Sequence, residues 1–171
     1  LSAGILSVYL GKRYLLLFFL TSQILLFLFL SSFSAETSRT LASLAIIGVD
    51  AFDAGFMVLI FSILMALCTT QTSATNFGIF MGFGNISSLI GNNLAPLVLG
   101  SGNYSFAFIC AGLTLIPCLL TAYYLTKSAL AAIIFMLFSN LAYGIFDVIY
   151  NEFYMKVLGW AGEETGYLRP F

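Results

Sequence analysis

Along this chain long apolar runs alternate with short polar breaks, and the run lengths predict helices that cross a bilayer. Gly11-Lys12-Arg13 is a basic break. Residues 14–33 then form a nearly charge-free run of about the 20 residues a spanning helix needs. A short exposed loop holding Glu36 and Arg39 leads to a second run over 41–68, and a polar turn leads to a third over 74–99. The fourth run is 104–126, with a kink predicted at Pro117, and the fifth is 128–157, ending beside Trp160 at a position that suits the interfacial aromatic belt. Residues 1–10 read as the end of a further helix. Loops this short force neighbouring helices antiparallel. The prediction is a single all-α polytopic bundle over 1–171, with about five spanning helices and no soluble domain.

Polar residues inside three of these runs give the pattern chemical content. The third run carries Asn76, Asn85, Ser87, Ser88, Asn92 and Asn93, which a helix facing only lipid has little reason to keep. On a helix, Gly78, Gly82, Asn85, Asn92 and Pro96 fall near one face, and Gly84, Ser88 and Gly91 form a second strip of small residues. The reading is a packed helix beside a polar cavity, lined by Asn85 and Asn92. In the fifth run Asn140, Tyr143, Asp147, Tyr150, Asn151 and Tyr154 recur at helical steps and draw a polar stripe suited to the wall of an aqueous path. Glu152 lies off that stripe, at helical spacing from Lys156, as a surface pair. Asp50 and Asp53, three apart, share a face of the second helix. A carboxylate at mid-membrane costs on the order of 2.5 to 3.5 kcal/mol on insertion scales. These two aspartates and Asp147 are therefore the candidates for proton coupling or substrate contact. A plainer reading places Asp50 and Asp53 in the interface near Arg39, as local caps.

Composition narrows the classes. The chain is 61% hydrophobic and 8% charged, with a mean hydropathy of +1.05, which defines an integral membrane protein. Six basic and seven acidic residues leave no basic surface for nucleic acid. Histidine is absent, and Cys68, Cys110 and Cys118 lack metal-site spacing, so they read as small buried hydrophobes, and neither metal nor cofactor is expected. No nucleophile elbow, phosphate loop, zinc motif or dinucleotide fingerprint occurs, so an enzyme is not expected. The chain opens without methionine and closes where another helix could begin, and it reads as one stretch of something longer.

At this point the residues point to a family. Gly4-Ile5-Leu6-Ser7-Val8-Tyr9-Leu10-Gly11-Lys12-Arg13 resembles the loop signature of the major facilitator superfamily, with the spacing of Gly4, Gly11, Lys12 and Arg13 kept. Val8 stands where that signature has an aspartate, and Tyr9 where it has an arginine. Asp53-Ala54-Gly55, Leu64-Met65-Ala66-Leu67-Cys68 and Ser73-Ala74-Thr75-Asn76-Phe77-Gly78 are similar to helices ten and eleven of the anhydromuropeptide permease group, whose relatives include acetyl-CoA transporters. The fifth run looks more like a first or seventh facilitator helix. Two orders fit: helices eight to twelve plus an additional span, or helices two to seven with a short central loop. Residues 1–126 then form a facilitator-like half, and 127–171 an additional span or the start of the other half.

The resemblance implies a secondary transporter of the plasma or bacterial inner membrane, with Lys12 and Arg13 on the cytoplasmic side. It implies a permease or symporter that moves a small organic solute by alternating access, coupled to protons, with substrate held between two halves. Asp50, Asp53 and Asp147 would couple or contact substrate, and Asn85, Asn92, Asn140, Tyr143 and Asn151 would line the cavity. Its partners would be the bilayer, the solute, protons and the remainder of the carrier. Two rivals stand beside it. One is a membrane assembly protein that binds pigment, lipid or a subunit through its Phe and Tyr residues; the other, an intramembrane enzyme, lacks paired catalytic groups. An intact mass of the chain from its own cell well above 18.6 kDa is the outcome expected of a longer carrier; a matching mass would leave too few helices for two halves.

Overall fold

The computed structural model describes residues 11–33, 39–68, 73–100, 103–125 and 128–156. They form six helices: α1 Lys12–Leu30, α2 Arg39–Leu67, α3 Ser73–Leu99, α4 Tyr104–Leu113, α5 Ile116–Ala122 and α6 Ala129–Lys156. No strand occurs among the described residues. Gly11 opens α1 at φ 77°, a left-handed backbone that residues with a Cβ rarely adopt. At the other end of α1 the hydroxyls of Ser31 and Ser32 donate to the carbonyls of Leu28 and Phe29 at 2.6 and 2.7 Å, satisfying last-turn acceptors that a helix leaves open.

The fourth apolar run is broken in two, beside the proline that predicts the kink. Asn103 Oδ1 accepts from the Phe106 N–H at 3.0 Å and caps α4. Thr114 and Leu115 then form a turn, and Pro117 sits in the first turn of α5, where a missing N–H does least harm. The Thr114 hydroxyl donates to the Ala111 carbonyl at 2.7 Å and the Thr121 hydroxyl to the Pro117 carbonyl at 2.8 Å. Carbonyls at the break are thereby supplied with donors inside an apolar run.

Consecutive stretches run antiparallel, α4 and α5 together counting as one. Along α1 and α2, Lys12 Nζ donates to Ser62 Oγ at 2.8 Å at one end, and Gly48 faces Leu26 further along. Arg13 lies over the Tyr123 ring at 5.3 Å, which ties the start of α1 to the end of α5. Helices α3 and α6, two connections apart, run parallel and make the most extensive contact in the bundle. Gly84, Ser87 and Gly91 form the contacting strip of α3: the Ser87 hydroxyl donates to the Leu137 carbonyl, and Gly144 lies against the Ser88 carbonyl. The predicted strip of Gly84, Ser88 and Gly91 is thus the buried one. A Cβ at Gly78 or Gly82 would meet nothing within 4 Å.

Aromatic rings bind the remaining helices to α6. Phe27 of α1 stacks on Phe146 with centroids 4.8 Å apart, Phe56 of α2 stacks on Phe135 at 5.7 Å, and Phe108 of α4 meets Phe153 edge-on at 5.5 Å. Each such pair contributes about 0.5–1.5 kcal/mol beyond area burial. Large apolar side chains such as Phe18, Leu25, Leu44, Leu120 and Leu130 point outward, as they should where lipid is the solvent.

Four of the described helical stretches are long and apolar enough to cross a membrane: Lys12–Leu30, Thr40–Leu67, Tyr104–Ala122 and Ala129–Phe153. The described residues thus supply four such stretches where the run lengths predict about five. Helix α3 has the length, at 27 residues, but its asparagines, serines and glycines dilute its apolarity below that of the others.

A methyl group at the α3–α6 contact has nowhere to go. A Cβ at Gly91 would lie 2.6 Å from the Leu141 carbonyl oxygen and 3.0 Å from the Ile145 nitrogen. Gly91→Ala and Gly144→Ala should each lower stability by roughly 1–3 kcal/mol, read as an earlier thermal unfolding in detergent. Gly78→Ala, with open space around it, should be neutral or slightly stabilising; equal losses at all three would contradict this packing.

Candidate functional site

Asp53 is the central residue of the 29-residue α2, about 20 Å of helix from either end at 1.5 Å per residue. Because α2 starts at Arg39, the plainer reading of a cap in the interface does not fit Asp53. Across from it, on α1, Gln23 is 5% exposed. Its Nε2 donates to Asp53 Oδ1 at 3.3 Å, at the long end for such a bond.

These two side chains form one wall of a small cavity at the middle of the bundle. Asn140, Ser139 and Tyr143 of α6 form the facing wall, and Phe27, Phe56 and Leu115 close it with apolar surface. Three helices, none adjacent to all the others in sequence, thus bring a carboxylate, two amides, a hydroxyl and a phenol to one depth. Asn140 Nδ2 donates to the Met136 carbonyl at 2.9 Å, and the Ser139 hydroxyl to the same carbonyl at 3.4 Å. The volume is about 20 Å³, room for about one water molecule, which needs two to four polar partners of the kind present here. No cationic side chain is among the lining residues.

The predicted site residues divide between this cavity and other places. Asp53, Asn140 and Tyr143 meet in it. Asp50 lies one turn before Asp53, half-buried and outside the lining. Asp147 is half-buried further along α6, and its backbone carbonyl accepts from Asn151 Nδ2 at 2.5 Å. Asn151 is therefore tied to its own helix. Tyr150 is buried against Phe146 at 5.5 Å. Asn85 and Asn92 are exposed on α3, and neither lines the cavity. Of the loop signature, Gly11, Lys12 and Arg13 make the contacts given above, while Gly4 lies outside the described residues, as do the side chains of Tyr154 and Lys156.

Gln23 and Ser139 are the lining residues that the pattern of polar positions singled out least. A lone Gln in a run of Leu and Phe is the available signal: its amide needs partners that lipid does not supply. Ser139 carries less, since a serine can bond its own helix.

No protein-family model matches the chain, and no curated protein or solved structure matches it.

Removing the carboxyl from the Gln23–Asp53 pair leaves a buried amide without its acceptor. Asp53→Ala should cost about 1–3 kcal/mol, and Asp53→Asn, which keeps an acceptor oxygen in place, distinctly less. Thermal unfolding of the two variants in the same detergent checks the order; Asp53→Ala as stable as Asp53→Asn would mean the pair does not hold α1 to α2.

Proposed function

We propose that this chain is the helical bundle, or one part of the bundle, of a secondary transporter that moves a small organic solute by alternating access, driven by protons. The observation that carries the reading is the Gln23–Asp53 pair, facing Asn140, Ser139 and Tyr143 across a cavity between α1, α2 and α6. Intramembrane ionisable residues that face a cavity rather than lipid mark substrate or proton paths, and carrier sites lie near the bilayer midplane. The resemblance of the loop and of the stretch from Asp53 to Gly78 to facilitators supports the same reading.

In this proposal Asp53 takes the proton. When it is ionised, its oxygen accepts from the Gln23 amide and holds α1 and α2 together; when it is protonated, it becomes a donor as well and can turn to Asn140 or Tyr143. The balance between the two pairings biases whether α1 and α2 lie close to α6 or apart. Closed, the cavity admits about one water; separation of the helices would widen it to solute size.

The test is uptake by the protein in sealed vesicles, with an inward proton gradient, over a panel of small organic solutes that includes anhydromuropeptides and acyl-CoA esters. Gradient-driven uptake of one class is expected, abolished by a protonophore and lost in Asp53→Asn, while Asp147→Asn keeps it. Full uptake in Asp53→Asn would refute the coupling role. Absence of flux for every solute, with a subunit co-purifying stoichiometrically, would favour the assembly protein instead.

A further inference from the structure

We propose that the cavity between α1, α2 and α6 binds a sodium ion, held by oxygens of Asp53, Gln23, Asn140 and Ser139. The four side chains share the lining, and their hydrogen bonds leave acceptors over. The Gln23 amide bonds Asp53 Oδ1, and the Asn140 amide bonds the Met136 carbonyl. Both partners are oxygens, so in each amide the nitrogen is the atom engaged. Among the described residues Gln23 Oε1, Asn140 Oδ1 and Asp53 Oδ2 accept no hydrogen bond. The Asn140 nitrogen lies on the side of Gly84, 3.1 Å from where a Cβ on that glycine would sit, which leaves the oxygen on the other side of the amide. Ser139 gives its hydroxyl hydrogen to the same Met136 carbonyl and keeps lone pairs on its oxygen. Gln23 is buried, so water outside the bundle does not serve its Oε1, and a buried acceptor without a partner is destabilising.

The balance of these groups says which ligand completes them. Oxygens remain while both amide nitrogens are engaged, and the lining includes one carboxylate and no cationic side chain. A ligand of one positive charge therefore satisfies both the oxygens and the carboxylate. Zinc and its neighbours call for His, Cys or several carboxylates, and no group of three such residues occurs among the described residues. Calcium and magnesium take six or more oxygens or keep several waters, and a cavity of about 20 Å³ has room for about one water. A water molecule fits that space, but it donates two hydrogen bonds and leaves the carboxylate uncompensated. Sodium is no larger than a water, carries one charge and binds carboxylate, amide and hydroxyl oxygens alike. The inference rests on the site of the transport reading and names a second ion for it; binding is measured without flux, so either can fail alone.

Equilibrium dialysis of the full-length protein, purified in detergent with choline as the only other cation, against radioactive sodium tests it. One sodium per chain is expected, displaced by unlabelled sodium and not by equal potassium or calcium. Asp53→Asn should abolish binding, and Asn140→Ala should weaken it by about tenfold or more, the loss that removing even a supporting group causes at a metal site. Asp147→Asn, outside the lining, should leave binding unchanged. A second readout uses the unaltered protein: sodium in place of choline should raise its unfolding temperature, with no such rise in Asp53→Asn. No sodium retained by the unaltered protein, equal retention by Asp53→Asn, or displacement by potassium or calcium as readily as by sodium would overturn the proposal, the last by showing attraction of any cation. Bound sodium with no solute uptake would leave this site standing and count against the carrier; proton-driven uptake with no bound sodium would do the reverse.

Discussion

The bundle depends on one contact, the place where the backbones of α3 and α6 touch at Gly91 and Gly144. In lipid there is no hydrophobic gain from bringing two apolar helices together, so association rests on close packing and on hydrogen bonds between helices. Gly144 seats itself against the Ser88 carbonyl, Gly91 against the Leu141 carbonyl, and the Ser87 hydroxyl bonds across to Leu137. With α6 held there, its outer positions become the framework for everything else. Phe135, Phe146 and Phe153 receive rings from α2, α1 and α4, and Ser139, Asn140 and Tyr143, in the turn before Gly144, are presented to the middle of the bundle.

Polar groups in this chain find partners in two different ways, and the difference separates scaffold from site. Thr21, Ser31, Ser32, Thr114, Thr121, Asn140 and Asn151 all donate to carbonyls of their own helix. Such bonds are local, and they let a helix carry a polar residue through lipid without asking anything of its neighbours. The Gln23–Asp53 bond is of the other sort: it joins side chains on two helices midway along α2, where an unpartnered carboxylate is hardest to keep. A chain under no functional demand gains little by placing a charge there, since a leucine pair would fill the same space.

Much of the architecture was readable from the alternation of apolar and polar runs. The runs give the helix positions to within a few residues, because length and apolarity are what crossing a bilayer requires. Pro117 announces the broken helix, and the strip of Gly84, Ser88 and Gly91 announces a close approach. What a linear pattern cannot supply is the neighbour. The polar stripe from Asn140 to Tyr154 reads as one face, yet over so long a helix that face passes different partners: Asn140 and Tyr143 reach the cavity, Tyr150 enters an aromatic cluster, and Asn151 turns back on its own backbone. Asp50 and Asp53 were equivalent by spacing; only the helix bounds and the position of Gln23 separate them. Helix α3 is the sharpest case. Its polar face implied a cavity within the chain, whereas the bundle turns its glycine strip inward, leaves Asn85 outside and holds Asn92 at the edge of the contact, with its Oδ1 beside Gly144.

The separation in sequence of α3 from its main partner also bears on how the protein is made. A chain leaves the ribosome from its N-terminus, and α3, the helix with the weakest hold on lipid, emerges before α4 and α5, and before the α6 glycine it rests on. Helices α1 and α2, adjacent in sequence, can make their contact as soon as both exist. Helix α3 makes its widest contact with α6, which follows α4 and α5 in the chain. The widest contact of the bundle therefore cannot form until Gly144, late among the described residues, has been made.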